Sequence, residues 1–529
     1  MTDHARPVVP DRTSRCAYWA RVQPDKPALV DESDGHIRVM TYRELDELSN
    51  RIANALRRGG SPPHKRVGVM GRNSIELVAL IQGAAKAGCG IVALNHRMQR
   101  TDAIDLLDFA EARLLFVEAE SAPLFGEIMR DSGIRSLVVF GGAAKPGQMT
   151  LDEFLCGADG TQPPPPMERS GDGPVMAGFT SGTTGKPKRV MRDSKGGPST
   201  ETAHLTRLWG EDEHVFITSG SILSGAAGGY YSIALTRGDT VVLQRKFDPA
   251  DWLRLVDKHK VTVAYFAPTN ARQICGVPDE IKQRYDISSI RTVFAGAAKW
   301  SYALKLAFRD TFPQNSLWEV YGSTELGSNT VMEPQEHWGK PESCGRPISG
   351  VEIILLDEAR GRVTRPYERG VVWVKSDFAA GFLGYDGDPA ATASAVSGDY
   401  RSVGDIGYFD EDGFFYICDR QKDMVVTGGV NVYPAEVEAV IDSYPEVLEC
   451  AVFGVPDDMW GERVHAVVVQ GAGASLEADE IIAYCRQHLA SHKVPRGVDF
   501  ADALPHTSSG KILKREIRDQ YWAGAGRLI

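Results

Sequence analysis

The sequence predicts an α/β protein: a large N-terminal domain of parallel, helix-covered sheets with a β-rich subdomain, then a small α+β C-terminal domain. Three observations carry that reading. Short apolar runs alternate with helical periods as far as Ala295. From Val351 to Val374 the rhythm changes to short strands separated by Gly-Arg and Glu-Arg-Gly turns. After Arg420 a tail of about 110 residues returns to mixed helix and strand periods, long enough for a small core of its own. The expected domains are 1–419 and 420–529, which suits a chain of 529 residues at roughly 100–200 residues per domain.

Thr41-Tyr42-Arg43-Glu44 has capping-box form, and Leu45, Leu48, Ile52 and Leu56 follow at helical spacing. Val67–Met70 reads as a buried strand, Ser74–Lys86 as a helix, and Ile91–Leu94, Leu114–Val117 and Leu137–Phe140 as further strands. The proline run Pro163–Pro166 is an extended connection. Asp251–Lys258 is helical, and Val261–Phe266 and Arg291–Ala295 are strands. Gly413–Cys418 reads as one strand of a hairpin. Beyond it, Pro434–Ile441 is a helix opened by proline, Leu448–Val455 and Val464–Val469 are strands, and Leu476–His488 is a helix. Val215–Thr236 is uncharged and long enough to cross a bilayer, but four serines and four glycines make it a small-residue cavity wall instead.

Composition narrows the function. The 59 Lys and Arg against 70 Asp and Glu leave a net charge of −11, which gives no bulk attraction to nucleic acid or anionic membrane. Eight scattered cysteines, without a CxxC pair, fit a reducing compartment better than a disulfide framework or metal site. Neither end carries a secretory or lipidation pattern, so a cytoplasmic protein without a transmembrane segment is expected. The oligomeric state is open, with a homodimer among the options.

The chemistry is concentrated in Thr180-Ser181-Gly182-Thr183-Thr184-Gly185-Lys186-Pro187-Lys188. Glycines and small hydroxylated residues let backbone N–H groups face an anion closely, and two lysines add charge, so this is a phosphate loop. It is not a Walker A loop, because proline follows the lysine. The loop resembles that of the adenylate-forming superfamily, which includes acyl-CoA synthetases, peptide-synthetase adenylation domains and firefly luciferase. Eight fixed positions at roughly one in fifteen each match by chance with odds on the order of 10⁻⁹. Arg189 departs from the glycine usual in the family.

The resemblance continues in order along the chain, from about Pro24 to Arg518. It implies that Gly296-Ala297-Ala298 abut the adenine. In Tyr321-Gly322-Ser323-Thr324-Glu325 it implies that Tyr321 stacks on the base, Thr324 contacts the α-phosphate and Glu325 holds Mg²⁺. It makes Asp405 the ribose ligand and Arg420 a ribose or phosphate contact. Lys511, in Leu504-Pro505-His506-Thr507-Ser508-Ser509-Gly510-Lys511, becomes the lysine that enters the active site. It also makes the C-terminal domain mobile, with Lys422 at the hinge and Gly428, Gly429 and Asn431 on the face that meets CoA. Lys514, Arg515 and Arg518 are expected to form a solvated face or a patch near the CoA phosphates.

The implied reaction is ATP-dependent activation of a carboxylic acid to an acyl-adenylate, then transfer to CoA, with ATP, Mg²⁺ and CoA as cofactors or co-substrates. Amino-acid-activating members carry an aspartate near the segment Ile217–Gly225. Here there is no carboxylate, and Ile222-Leu223 replaces an aromatic-histidine pair. Ser219, Ser221, Leu223, Gly228 and Gly229 are expected to line a roomy apolar pocket. A hydrophobic acid is expected, either fatty or of bulky alicyclic, terpenoid or steroid type, with aryl acids as the alternative. An acyl-AMP ligase that loads a carrier protein and an inactive nucleotide-binding homologue are the two competing functions. Lys186, Glu325, Asp405, Arg420 and Lys511 together argue against inactivity.

Overall fold

The structure, a computed structural model, describes residues 15–58, 66–94, 98, 100–125, 133–164, 176–180, 188–192, 200–471, 473–507 and 511–523. The chain forms two compact units. One comprises residues up to Tyr265 with Glu280–Ile290 and Gly381–Pro389; the other comprises Phe266–Asp279, Arg291–Ala380 and the chain from Ala390 onward.

The first unit is α/β. Strands Gly90–Leu94, Arg66–Met70, Leu114–Glu118, Ser136–Phe140 and Met149–Thr150 lie side by side in a fully parallel sheet. Its apolar residues Val69, Leu115, Val117 and Val139 are almost wholly buried, as a sheet covered by helices requires. Leu106 and Leu107 of helix Arg100–Phe109 join that core. A second set runs parallel through Val215–Ile217, Thr240–Leu243 and Pro27–Asp31, with Arg38–Thr41 antiparallel at its edge. The helix Tyr42–Arg58 starts where the capping box places it: Thr41 N donates to Glu44 Oε2 at 2.7 Å, and Glu44 N donates to Thr41 Oγ1 at 3.3 Å. The stretch of bilayer length resolves into the strand Val215–Ile217 and the helix Gly225–Arg237. Among the described residues no helix is long and apolar enough to cross a membrane.

The second unit carries three sets of strands. Thr292–Ala295 pairs in parallel with Leu317–Ser323, which pairs antiparallel with Gly327–Met332. The expected β-rich subdomain is a seven-stranded sheet that includes Glu352–Leu356, Gly370–Lys375, Asp405–Phe409 and Phe415–Arg420. The chain after Arg420 builds a five-stranded sheet around the long hairpin Val447–Asp457 and Gly461–Gln470. Alternation along Val447–Asp457 sends Cys450 and Val452 into one core and Ala451, Phe453 and Val455 into another. None of the eight cysteines forms a disulfide.

Candidate active site

The site is built at the ends of strands in the second unit. Strand Leu317–Ser323 ends in a turn so tight that a Cβ on Gly322 would lie 2.0 Å from the Gly327 carbonyl oxygen, and Gly327 itself has φ of 76°. Ser323 Oγ accepts from Leu326 N at 3.1 Å and fixes the turn. Glu325 is thereby turned inward, with only 7% of its surface exposed.

Asp405 opens the strand Asp405–Phe409, directly opposite Arg420 at the end of Phe415–Arg420. One carboxylate oxygen accepts from the Tyr321 hydroxyl at 2.8 Å, and the other faces Arg420 Nε at 3.3 Å. The Tyr321 ring packs on Phe415 with centroids 5.4 Å apart. Burial, together with the neighbouring Asp405 charge, lifts the Tyr321 hydroxyl well above its usual pKa, so it stays a donor. Burial works against the charge on Arg420, but Asp405, Asp423 and Glu325 outweigh it and raise its pKa.

Lys511 completes the cluster from a small hairpin. Thr507 N donates to the Lys511 carbonyl at 2.7 Å, Lys511 N donates to Thr507 Oγ1 at 3.1 Å, and His506 bridges to Ile512. His506 Nε2 meets Glu449 Oε1 at 2.7 Å and ties the hairpin to the strand behind it. Burial, then the Arg420 charge, pushes the Lys511 ammonium down to about 8, while Asp405 and Glu325 pull the other way. Two cations and two carboxylates thus act on one another in a poorly solvated space, where charge interactions are stronger than in water.

The expected adenine turn follows strand Thr292–Ala295. Gly296 N donates to the Phe266 carbonyl at 3.1 Å. Ala297 sits at φ of 69°, a left-handed conformation that costs a non-glycine residue about 1–3 kcal/mol and concentrates at functional sites. Ala298 is exposed.

Lys422 is exposed on a turn in which Gln421 N donates to the Gly404 carbonyl at 2.8 Å and Asp423 N to the Arg420 carbonyl at 3.0 Å. Gly428 and Gly429, with φ of 58° and 80°, form the turn between Val425–Thr427 and Val430–Val432, and Asn431 is exposed beside them. A Cβ on Gly428 would lie 2.5 Å from the Trp460 ring, whereas one on Gly429 would meet nothing.

In the first unit, Ser219 is buried and its Oγ accepts from Trp252 Nε1 at 3.0 Å. Ser221 Oγ accepts from Leu223 N at 3.3 Å, and Leu223 is half-buried. Gly228 approaches the Ile222 carbonyl so closely that a Cβ would sit 2.6 Å from it, while Gly229 is exposed to open space. The backbone of Thr180 ends the strand Met176–Thr180. Ser181, Gly182, Thr183, Thr184, Gly185 and Lys186 lie outside the described residues.

Two features escape a sequence reading. Phe415 as the wall behind Tyr321 has no local signal. Lys514 is not part of a solvated face: it pairs with Glu438 Oε1 at 2.7 Å. Burial works against its charge, but the Glu438 and Asp419 carboxylates outweigh that and raise its pKa. Its helical neighbours Arg515 and Asp519 do form an exposed pair at 3.1 Å. Among the described residues no group of three or more His, Cys, Asp or Glu could hold a metal ion.

The family model of the AMP-binding enzymes matches residues 16–385, and that of the AMP-binding enzyme C-terminal domain matches residues 436–511. A feruloyl-CoA synthase from Amycolatopsis sp is 33% identical over 497 residues, covering 91% of this chain and 94% of its own. A CoA ligase of Rhodococcus jostii, named for a methyl-dioxo-octahydroindenyl propanoyl substrate, is 31% identical over 514 residues, covering 93% of this chain and 96% of its own. Among solved structures, the amide bond synthetase McbA from Marinactinospora thermotolerans superposes with a TM-score of 0.81 at 27% identity, over 96% of this chain and 99% of its own.

Proposed function

The chain belongs to the AMP-binding enzymes, in the adenylate-forming superfamily of acyl-CoA synthetases, and on that premise we propose that it activates a hydrophobic carboxylic acid as its adenylate and passes the acyl group to CoA. The class is that of an AMP-forming acid–thiol ligase using ATP and CoA. The observation that carries the reading is Asp405 held between Tyr321 and Arg420, with Glu325 turned inward and Lys511 near enough for these charges to act on it.

In the first step a carboxylate oxygen bonds to the α-phosphorus of ATP and pyrophosphate leaves. Both reactants are anions, so the obstacle is charge. Lys511 and Arg420 supply fixed positive charge where negative charge builds up, without reorganisation at the moment of reaction. Asp405, held by Tyr321 and Arg420, presents carboxylate oxygens that can accept from both ribose hydroxyls. Glu325 is chemically suited to Mg²⁺: it is an inward-turned oxygen donor beside two cations, and nucleotide phosphates would complete the ligand set. The ion would neutralise phosphate charge there. In the second step the CoA thiolate attacks the acyl carbon and AMP leaves. Gly429, where a Cβ would meet nothing, leaves backbone open to the close approach of a pantetheine arm, while Gly428 beside it packs on the Trp460 ring. The cut at 419/420 and the hinge at Lys422 belong to this reading, as does the assignment of Thr180–Lys186 to the phosphates.

The acid is taken to be fatty or bulky alicyclic, of the terpenoid or steroid type. The uncharged segment Ile217–Gly229 supports this, as does the bicyclic substrate named for the Rhodococcus relative. The feruloyl-CoA synthase favours an aryl acid as the second reading. Incubation with ATP, Mg²⁺, CoA and a panel of long-chain, polycyclic and aryl acids, read by AMP release and thioester mass, tests both. Release of AMP with thioester formation on polycyclic or long-chain acids is the expected result. Activity confined to aryl acids selects the second reading, and no AMP with any acid contradicts the function.

A further inference from the structure

Asp442 breaks a local rule. It follows the last turn of helix Pro434–Ile441, where its N–H still donates to the Glu438 carbonyl at 2.8 Å. A carboxylate at a helix C-terminus faces the negative end of the dipole and is unfavourable there on its own. Its partner lies 170 residues away in sequence: the Arg272 guanidinium grips both carboxylate oxygens with Nη1 and Nη2, and Nη1 also donates to the Leu448 carbonyl at 2.9 Å. The pair is largely buried, with the two side chains 20% and 12% exposed, and Cys450 Sγ donates to Asp442 Oδ1 at 3.3 Å. A two-pronged arginine contact fixes orientation as well as distance.

The helix that ends at Asp442 is tied to the catalytic cluster at two more points. At its start, Ala435 N donates to Asp419 Oδ2 at 2.9 Å, one residue before Arg420. One turn before its end, Glu438 holds Lys514, three residues beyond Lys511. Arg272 itself stands on helix Pro268–Cys275, which follows Phe266, the acceptor of the Gly296 N–H. One helix therefore connects the Arg272 anchor to the segment that carries Lys511.

We propose that Arg272 and Asp442 are positioning residues for the adenylation step: their ion pair clamps helix Pro434–Ile441 so that Lys511 is held against Arg420, Asp405 and Glu325. This rests on the function proposed above. In the reaction proposed above Lys511 offsets charge in the adenylation step, so the clamp serves that half-reaction.

The test uses the full chain with an acid it accepts. Pyrophosphate release from acid and ATP is compared with thioester formation from the synthetic acyl-adenylate and CoA. Asp442→Asn should lower the first about 10- to 100-fold, the loss expected when a charged group is displaced by about an ångström, and leave the second within about twofold. Arg272→Lys keeps the charge, loses the fork and should fall between. The exchanged pair Arg272→Asp with Asp442→Arg should recover part of the loss. Asp442→Asn in a Lys511→Ala background should cost nothing further, because the clamp acts through Lys511. Equal loss in both half-reactions, or additive loss on top of Lys511→Ala, overturns the proposal and leaves the function standing. Wild-type protein that releases no pyrophosphate with any acid overturns both.

Discussion

The Tyr321 hydroxyl donates to Asp405 Oδ2 at 2.8 Å, joining the turn that carries Glu325 to the strand pair that carries Arg420. The two residues are 84 positions apart, and the bond makes the carboxylate a fixed acceptor instead of a free rotor.

Tyr321→Phe keeps the ring against Phe415 and deletes only that bond. A net hydrogen bond of about 0.5–1.5 kcal/mol corresponds to a rise in KM for ATP of roughly two- to twelvefold, with kcat little changed. Steady-state pyrophosphate release measures it. An unchanged KM would show that Asp405 is oriented by Arg420 alone.

The pH dependence follows from Lys511. Its ammonium is held down to about 8 by burial and by Arg420, and in the proposed role it must be protonated to offset phosphate charge. Charge is lost as pH rises through that value, so kcat/KM for adenylation should fall above pH of about 8. That parameter reports the free enzyme. Thioester formation from the preformed adenylate should lack this limb, and Lys511→Arg should move it out of range.

Gly428 and Gly429 separate space from strain. Both have positive φ, so alanine strains either backbone, but only the Gly428 Cβ collides with Trp460, at 2.5 Å. Gly428→Ala should slow thioester formation at least tenfold more than Gly429→Ala, with adenylation nearly unaffected in both. Half-reaction rates on the two variants decide it.

His337 predicts acid sensitivity of the fold. It is fully buried, its Nε2–H donates to the Leu317 carbonyl at 3.2 Å, and burial plus the Lys305 charge pushes it down to about 3. The unfolded chain takes up that proton near pH 6.5 and the folded chain does not. Stability is therefore complete above about 6.5 and falls by roughly 1.4 kcal/mol per pH unit below it, until the folded value is reached. His337→Gln should lose this share of the dependence, giving a smaller drop in melting temperature between about pH 7.5 and 5 than the wild type.

Much of this was legible in the sequence because it is written in short-range patterns. Thr41 and Glu44 form the box their spacing implies, and helix Pro434–Ile441 has the bounds its proline start predicts. The described motifs assigned to the nucleotide fall in turns or at strand ends, where backbone can meet a ligand. What the sequence hides is long-range. Nothing near Asp442 announces Arg272, and Lys514 looks like a solubilising charge until its distant partner Glu438 is seen. Gly322 likewise reads as part of a motif, while its close approach to Gly327 comes from a bulge between Tyr321 and Gly322 that no periodicity records.

The most direct measurement is the pair of half-reactions on Lys511→Ala. Pyrophosphate release from acid and ATP should fall about 10²–10³-fold or more, the usual cost of removing one focused charge or donor, while acyl transfer from a synthetic adenylate to CoA continues near the wild-type rate. Adenylation that survives the substitution, or loss of both steps together, would contradict the place given to this lysine.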